Sequence, residues 1–216
     1  MKLFDLDGPL FSAMSTLTNL VVLNLMFCIC CVPVITIGAS SAALHECVQV
    51  LLEEKKEKGL VQRFLKSFKK NFGRSTVIWL FCLIVIGVLF LYQRVVNTMA
   101  GSLGQSYQIV FYILCIVFLF GFQYLFPMQA RFNRPVPFTL KYSWLLSAAA
   151  LPWTLASILS TGILVYVSFF MNLDVIWTAV YLWAIAGFAV VSYINNIFFL
   201  KAFEKMMPEK KEEQQD

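Results

Sequence analysis

Residues 76–91 read TVIWLFCLIVIGVLFL, a run without one charged side chain. A half-covered strand alternates apolar and polar residues, and an amphipathic helix repeats them every three to four positions; this run does neither. It needs an apolar solvent on all sides, and about 20 such residues in a helix cross a hydrocarbon core of about 30 Å. Working outward, comparable stretches recur at 9–34, 107–126, 142–170 and 175–200. The first begins at Pro9, a residue suited to an opening helical turn. Pro152 interrupts the fourth and predicts a kink there. The sequence therefore reads as an all-α polytopic transmembrane bundle of five spans. It forms a single domain over 1–205, with a helical connector at 38–75 and a charged cytoplasmic tail at 206–216.

Composition agrees: 60% of residues are hydrophobic and 13% charged, against about 25% charged in soluble domains. The opening MKLFDLDGPLF carries Asp5 and Asp7 and no small-residue cleavage site, so the first helix is expected to stay attached. The six cysteines lie in apolar or amphipathic stretches and read as free thiols filling space. Cys28, Cys30 and Cys31 cluster, but His45 is the only histidine, so no metal and no cofactor is expected.

Lys and Arg in short loops are retained on the cytoplasmic side. Eight lie in the connector, three between 127 and 141 and four near the C-terminus, out of 17 in all. Five spans then place the C-terminus in the cytoplasm and the N-terminus outside. The alternative is a first helix that dips in without crossing, because Ser12, Ser15, Thr16 and Asn19 weaken its leading turns.

Within the connector, Leu44, Cys47, Val48 and Leu51 repeat at helical spacing, and Gly59 ends that segment. A second short helix over 60–72 places Phe64, Phe68 and Phe72 on one stripe, with Arg63, Lys66, Lys69, Lys70 and nearby Arg74 around it. This is the pattern of a helix lying in the headgroup layer, its rings in lipid and its cations toward anionic headgroups. These eight residues are the candidate lipid or partner contact; the same charges also suffice to fix orientation. Nucleic acid is not expected, since stacking rings would have to be free of the bilayer.

A single histidine removes the metalloprotease and serine-triad repertoires. Gly38-Ala39-Ser40-Ser41-Ala42 lacks the closing glycine and preceding strand of a nucleophile elbow, and no phosphate-binding loop occurs. No enzyme activity is expected. The spans carry no ionisable group near their middles, which argues against ion-coupled transport, and His45 with Glu46 reads as a solvated interfacial pair. The polar residues Ser12, Ser15, Thr16 and Asn19 share one helical face and, with Asn195 and Asn196, form a candidate polar pocket or helix-to-helix bonding groups. Gly87, Gly121, Gly162 and Gly187 read as close-packing points.

The order LFDLDGPLF, VPVITIGASSAAL, VQRFLKSFKKNFGRSTVIWL, YLFPMQARF and Leu151-Pro152-Trp153-Thr154 resembles the YesL-like family of bacterial membrane proteins. Pro33, Thr36 and Gly38 with Phe64, Phe68, Asn71 and Phe72 are its more specific part. The resemblance implies a plasma-membrane protein, chiefly of Gram-positive bacteria, loosely linked to carbohydrate utilisation, and it transfers no catalytic residue. Two functions are carried forward: a non-enzymatic accessory to carbohydrate uptake that contacts lipid or a sugar transporter complex, and a small solute permease without ion coupling. Oligomeric state is not legible.

Overall fold

The computed structural model describes residues 9–54, 59–99, 101–170 and 173–206, with backbone alone for 9–12, 54, 170, 173–177, 205 and 206. The chain is all-α, with no strand among the described residues: α1 Pro9–Cys31, α2 Ile37–Glu54, α3 Leu60–Val96, α4 Gly101–Phe132, α5 Val136–Ala149, α6 Leu151–Phe170, α7 Leu173–Leu182 and α8 Phe188–Met206. Ile84, Leu103, Leu159 and Ile163 are each more than half exposed, an apolar exterior that demands lipid. Among the described residues, six helical segments, not five, are long and apolar enough to cross a membrane, the additional one being 34–53.

That additional segment is α2, which the sequence places in a connector. It is the most enclosed of the six: 56% of its crossing window is buried, against 11–22% for the others. It packs against α1, α3, α4 and α8. Small residues make this possible, since Ala39, Ser40, Ala42 and Ala43 are all buried. At Gly38 a Cβ would stand 2.4 Å from the Ser75 carbonyl oxygen and 2.7 Å from Trp79 Cβ, so only glycine lets α2 meet α3 there. The turn from α1 follows from Pro33, which pushes Val32 out of helical geometry. A 3-10 turn at Val34–Thr36 completes it, and the Thr36 hydroxyl lies 2.6 Å from Cys30 O and 2.7 Å from Pro33 O. Trp79 donates its indole N–H to Val34 O at 2.8 Å, pinning the turn to α3.

The short headgroup helix expected over 60–72 is instead the opening of α3, one continuous helix of 37 residues. At 1.5 Å per residue it is about 55 Å long and overshoots the hydrocarbon core. Gly73 alone costs only about 1 kcal/mol inside a helix, too little to break one whose flanking residues Asn71 and Ser75 are buried. Gly59, at φ 76°, supplies the left-handed residue that starts it.

Helix α4 ends at Asn133, which holds φ 44° while its backbone and side-chain oxygens accept from Arg74 at 2.6 and 2.9 Å. The kink expected at Pro152 is a full break at Ala150 between α5 and α6. The Thr154 hydroxyl covers it, 3.0 Å from Ser147 O and 3.1 Å from Ala150 O, and meets Tyr124 Oη at 3.1 Å. Of the four glycines read as packing points, Gly121 lies under Trp144 and Gly187 against Trp183, whereas Gly87 and Gly162 face open space.

Between α7 and α8, Trp183–Gly187 form a π-helical turn. Such a turn misaligns the backbone ladder and opens polar groups. Asn24 of α1 closes them: its amide donates to Trp183 O at 3.1 Å and Ala184 O at 2.7 Å, and its oxygen accepts from Ala189 N–H at 3.0 Å. Replacing Asn24 by Leu leaves these groups unpaired in an apolar interior, and we expect a loss of about 1–3 kcal/mol in detergent-titrated unfolding. Unchanged stability would remove Asn24 from this role.

Candidate functional site

Two polar constellations diverge from α2. The first begins with His45 and Gln49, one turn apart, facing Ser192 and Asn196, also one turn apart on α8. Asn196 Nδ2 donates to His45 Nδ1 at 2.8 Å and to Ser192 O at 2.7 Å, while Asn196 Oδ1 accepts from Gln49 Nε2 at 3.0 Å. Gln49 Nε2 also donates to Pro127 O at 3.2 Å, so the knot ties α2 to α4 and α8. Because His45 Nδ1 accepts, the proton of the neutral ring sits on Nε2. The Ser192 hydroxyl lies 3.2 Å from that same nitrogen. Serine beside histidine evokes an activated nucleophile, but Asn196 already occupies the acceptor a base would use. This is helix-to-helix bonding, and it corrects the reading of His45 as a solvated group.

The second constellation faces α3. Glu46, half-buried, accepts from Ser67 Oγ at 2.7 Å and from Asn71 Nδ2 at 3.4 Å. These bonds fix the carboxylate at the edge of a cavity of about 420 Å³ lined by Glu46, Gln62, Arg63, Lys66, Ser67 and Lys70, with Gly59 at its rim. Positions 59, 62, 63, 66, 67 and 70 form one face of α3, because residues three and four apart are neighbours on a helix. Among the described residues, three cations and one carboxylate therefore line the same cavity, which favours an anionic guest.

The predicted contact residues divide accordingly. Arg63, Lys66 and Lys70 line this cavity; Lys69 is exposed but does not. Arg74 is engaged with Asn133. Phe64 is fully buried and Phe68 partly so, both packed in the cluster that holds Leu44, Cys47, Val48 and Leu51. Only Phe72 is exposed, at 42%, so the aromatic stripe grips α2 and leaves one ring for lipid.

The candidate polar pocket is not assembled as a unit. The two asparagines point to different neighbours: Asn195 donates to Thr161 Oγ1 at 2.8 Å and accepts from Ser160 Oγ at 3.1 Å, while Asn196 joins α2. Asn19 is half-buried with its amide nitrogen lacking a hydrogen-bond partner among the described residues. Ser15 and Thr16 are half-buried on α1. The side chain of Ser12 lies outside the described residues, as does the tail from 207. Among the described residues, no group of three or more His, Cys, Asp or Glu is placed to hold a metal ion. The sequence reading missed Gln49 and Ser192; the signal for both was the matched i,i+4 spacing of 45/49 and 192/196.

Residues 20–92 match a family described as "Protein of unknown function, DUF624". The match covers roughly a third of the chain and includes α2, the cationic cavity and α3 as far as Tyr92. No curated protein and no solved structure matches the chain.

If the α2–α8 knot is helix-to-helix bonding, Gln49 and Asn196 must be energetically coupled. A double-mutant cycle with Gln49→Leu and Asn196→Leu should return about 0.5–1.5 kcal/mol of coupling in detergent-titrated unfolding. Strict additivity would show that the contact carries no stability.

Proposed function

We propose that this chain is a non-enzymatic membrane protein, accessory to carbohydrate uptake in a bacterial plasma membrane, that docks an anionic group of a sugar transporter complex or a lipid headgroup at the cavity of Arg63, Lys66 and Lys70. The observation that carries the reading is the fixed Glu46 carboxylate with three cations arrayed on one face of α3. A loop that merely set orientation would need positive charge but no shaped, half-enclosed site. The carbohydrate link rests on the resemblance of the sequence motifs alone.

In this reading the opening of α3 and the C-terminal tail face the cytoplasm. With α2 crossing as well, an even number of passes brings the N-terminus to that same side, in place of the outside position that five passes imply. The permease reading draws less support, because Asn195 and Asn196 spend their polar atoms on neighbouring helices instead of lining an open path.

The test compares two variants in a host lacking its own copy. Lys66→Gln with Lys70→Gln should fail to restore uptake of a radiolabelled sugar, while Lys69→Gln, off the cavity, should restore it, both inserting at equal level. Full restoration by the double variant overturns the docking role, and normal uptake in the host without any copy overturns the link to carbohydrate.

A further inference from the structure

A second cavity, of about 540 Å³, lies between α3, α4 and α5. Its walls are apolar: Phe81 and Val85 of α3, Leu114 and Phe118 of α4, and the Trp144 ring of α5. Phe81, Leu114 and Trp144 are each at least 40% exposed, so the cavity is a groove open along the side of the bundle. From Phe81 to Leu89 it follows eight residue steps of α3, a length of about 12 Å along the helix. One charged side chain, Lys141, is among the residues that line it. Helix α5 meets this groove at the Cys82–Leu125 end, where Leu140 packs, so Lys141, the next residue, belongs to that end, whereas Leu89 and Leu114 at the opposite end are apolar.

The wall at the charged end is built deliberately close. A Cβ on Gly121 would fall 2.4 Å from Trp144 Cε2, so glycine alone allows the indole to lie flat against α4. Any side chain there would drive the ring outward, across the groove.

We propose that this groove holds one acyl chain of an anionic glycerophospholipid, with Lys141 paired to its phosphate. An apolar slot of this size with one polar group fixing orientation is the usual form of a small-molecule site. The charge selects the occupant: a hydrocarbon chain alone gains nothing from an ammonium at the slot's end, whereas a lipid phosphate gains a charge-assisted hydrogen bond. This site is separate from the cavity of Arg63, Lys66 and Lys70, and neither depends on the other.

The whole chain is placed in nanodiscs of equal phosphatidylglycerol and phosphatidylcholine and released for native mass spectrometry. Wild type should retain phosphatidylglycerol over phosphatidylcholine by about fivefold, the preference one lysine gives near a membrane surface. Lys141→Gln should keep the bound lipid but lose the preference, and Val117→Trp, which fills the slot, should lower bound lipid of both kinds severalfold. Equal retention of the two lipids by wild type, or undiminished binding in Val117→Trp, overturns the proposal. So does a shift in oligomeric mass on Val117→Trp with lipid count unchanged, which would mark the groove as a contact between copies. Should Val117→Trp fail to fold, Trp144 quenching by brominated-chain lipids, read as wild type minus Trp144→Phe, replaces it. Stronger quenching by the phosphatidylglycerol form is expected, and equal quenching by both overturns the site.

Discussion

Lipid offers no hydrogen bonds, so wherever a helix breaks inside it the opened backbone groups must be closed by side chains of the protein itself. This requirement organises the bundle. Thr36 closes the α1–α2 turn, Thr154 the α5–α6 break and Asn24 the π turn, while Arg74 occupies the last carbonyl region of α4. In the second, Tyr124 then bonds the closing hydroxyl, and in the third the closing residue comes from a distant helix. Irregularity and tertiary contact are thus one feature: the breaks are where helices become attached to each other, and apolar side-chain packing fills the space between.

Helix α2 shows the other half of the same logic. Its small residues let neighbours approach closely, and close approach is what allows short polar side chains to reach across. On one flank it binds α4 and α8 through Gln49 and His45; on the next it binds α3 through Glu46. These residues are too polar to face lipid and too few to make α2 soluble. Enclosure by four helices resolves both constraints, and it leaves Glu46 at the edge of that enclosure, where its charge can meet cations arriving from the solvent-facing end of α3.

The sequence revealed the all-α class, the long apolar helices and an irregularity at Pro152, though as a kink and not the full break, because each rests on runs or residue types whose effects are local. It did not pick out α2 as a candidate span for a physical reason: a helix enclosed by protein needs no continuous apolar surface, so Ser40, Ser41, His45, Glu46 and Gln49 lowered the signal by which spans are recognised. The phenylalanines of 60–72 were assigned to lipid since an apolar stripe has the same appearance whether it meets a bilayer or another helix. Of the site, the cations Arg63, Lys66 and Lys70 were legible as a group, but Glu46 was not, because its partnership with Ser67 and Asn71 spans more than twenty residues of chain.

The π turn at Trp183–Gly187 has a consequence for how this part of the chain compares with related sequences. One surplus residue rotates everything after it by about 100° relative to an uninterrupted α-helix. A helical wheel drawn as one phase through 173–206 therefore assigns the wrong outward face to one half. A homologue shorter by a single residue within 183–187 would restore a regular ladder, changing angular register while keeping the same span. A one-residue gap there belongs inside the helix and is no sign of a loop.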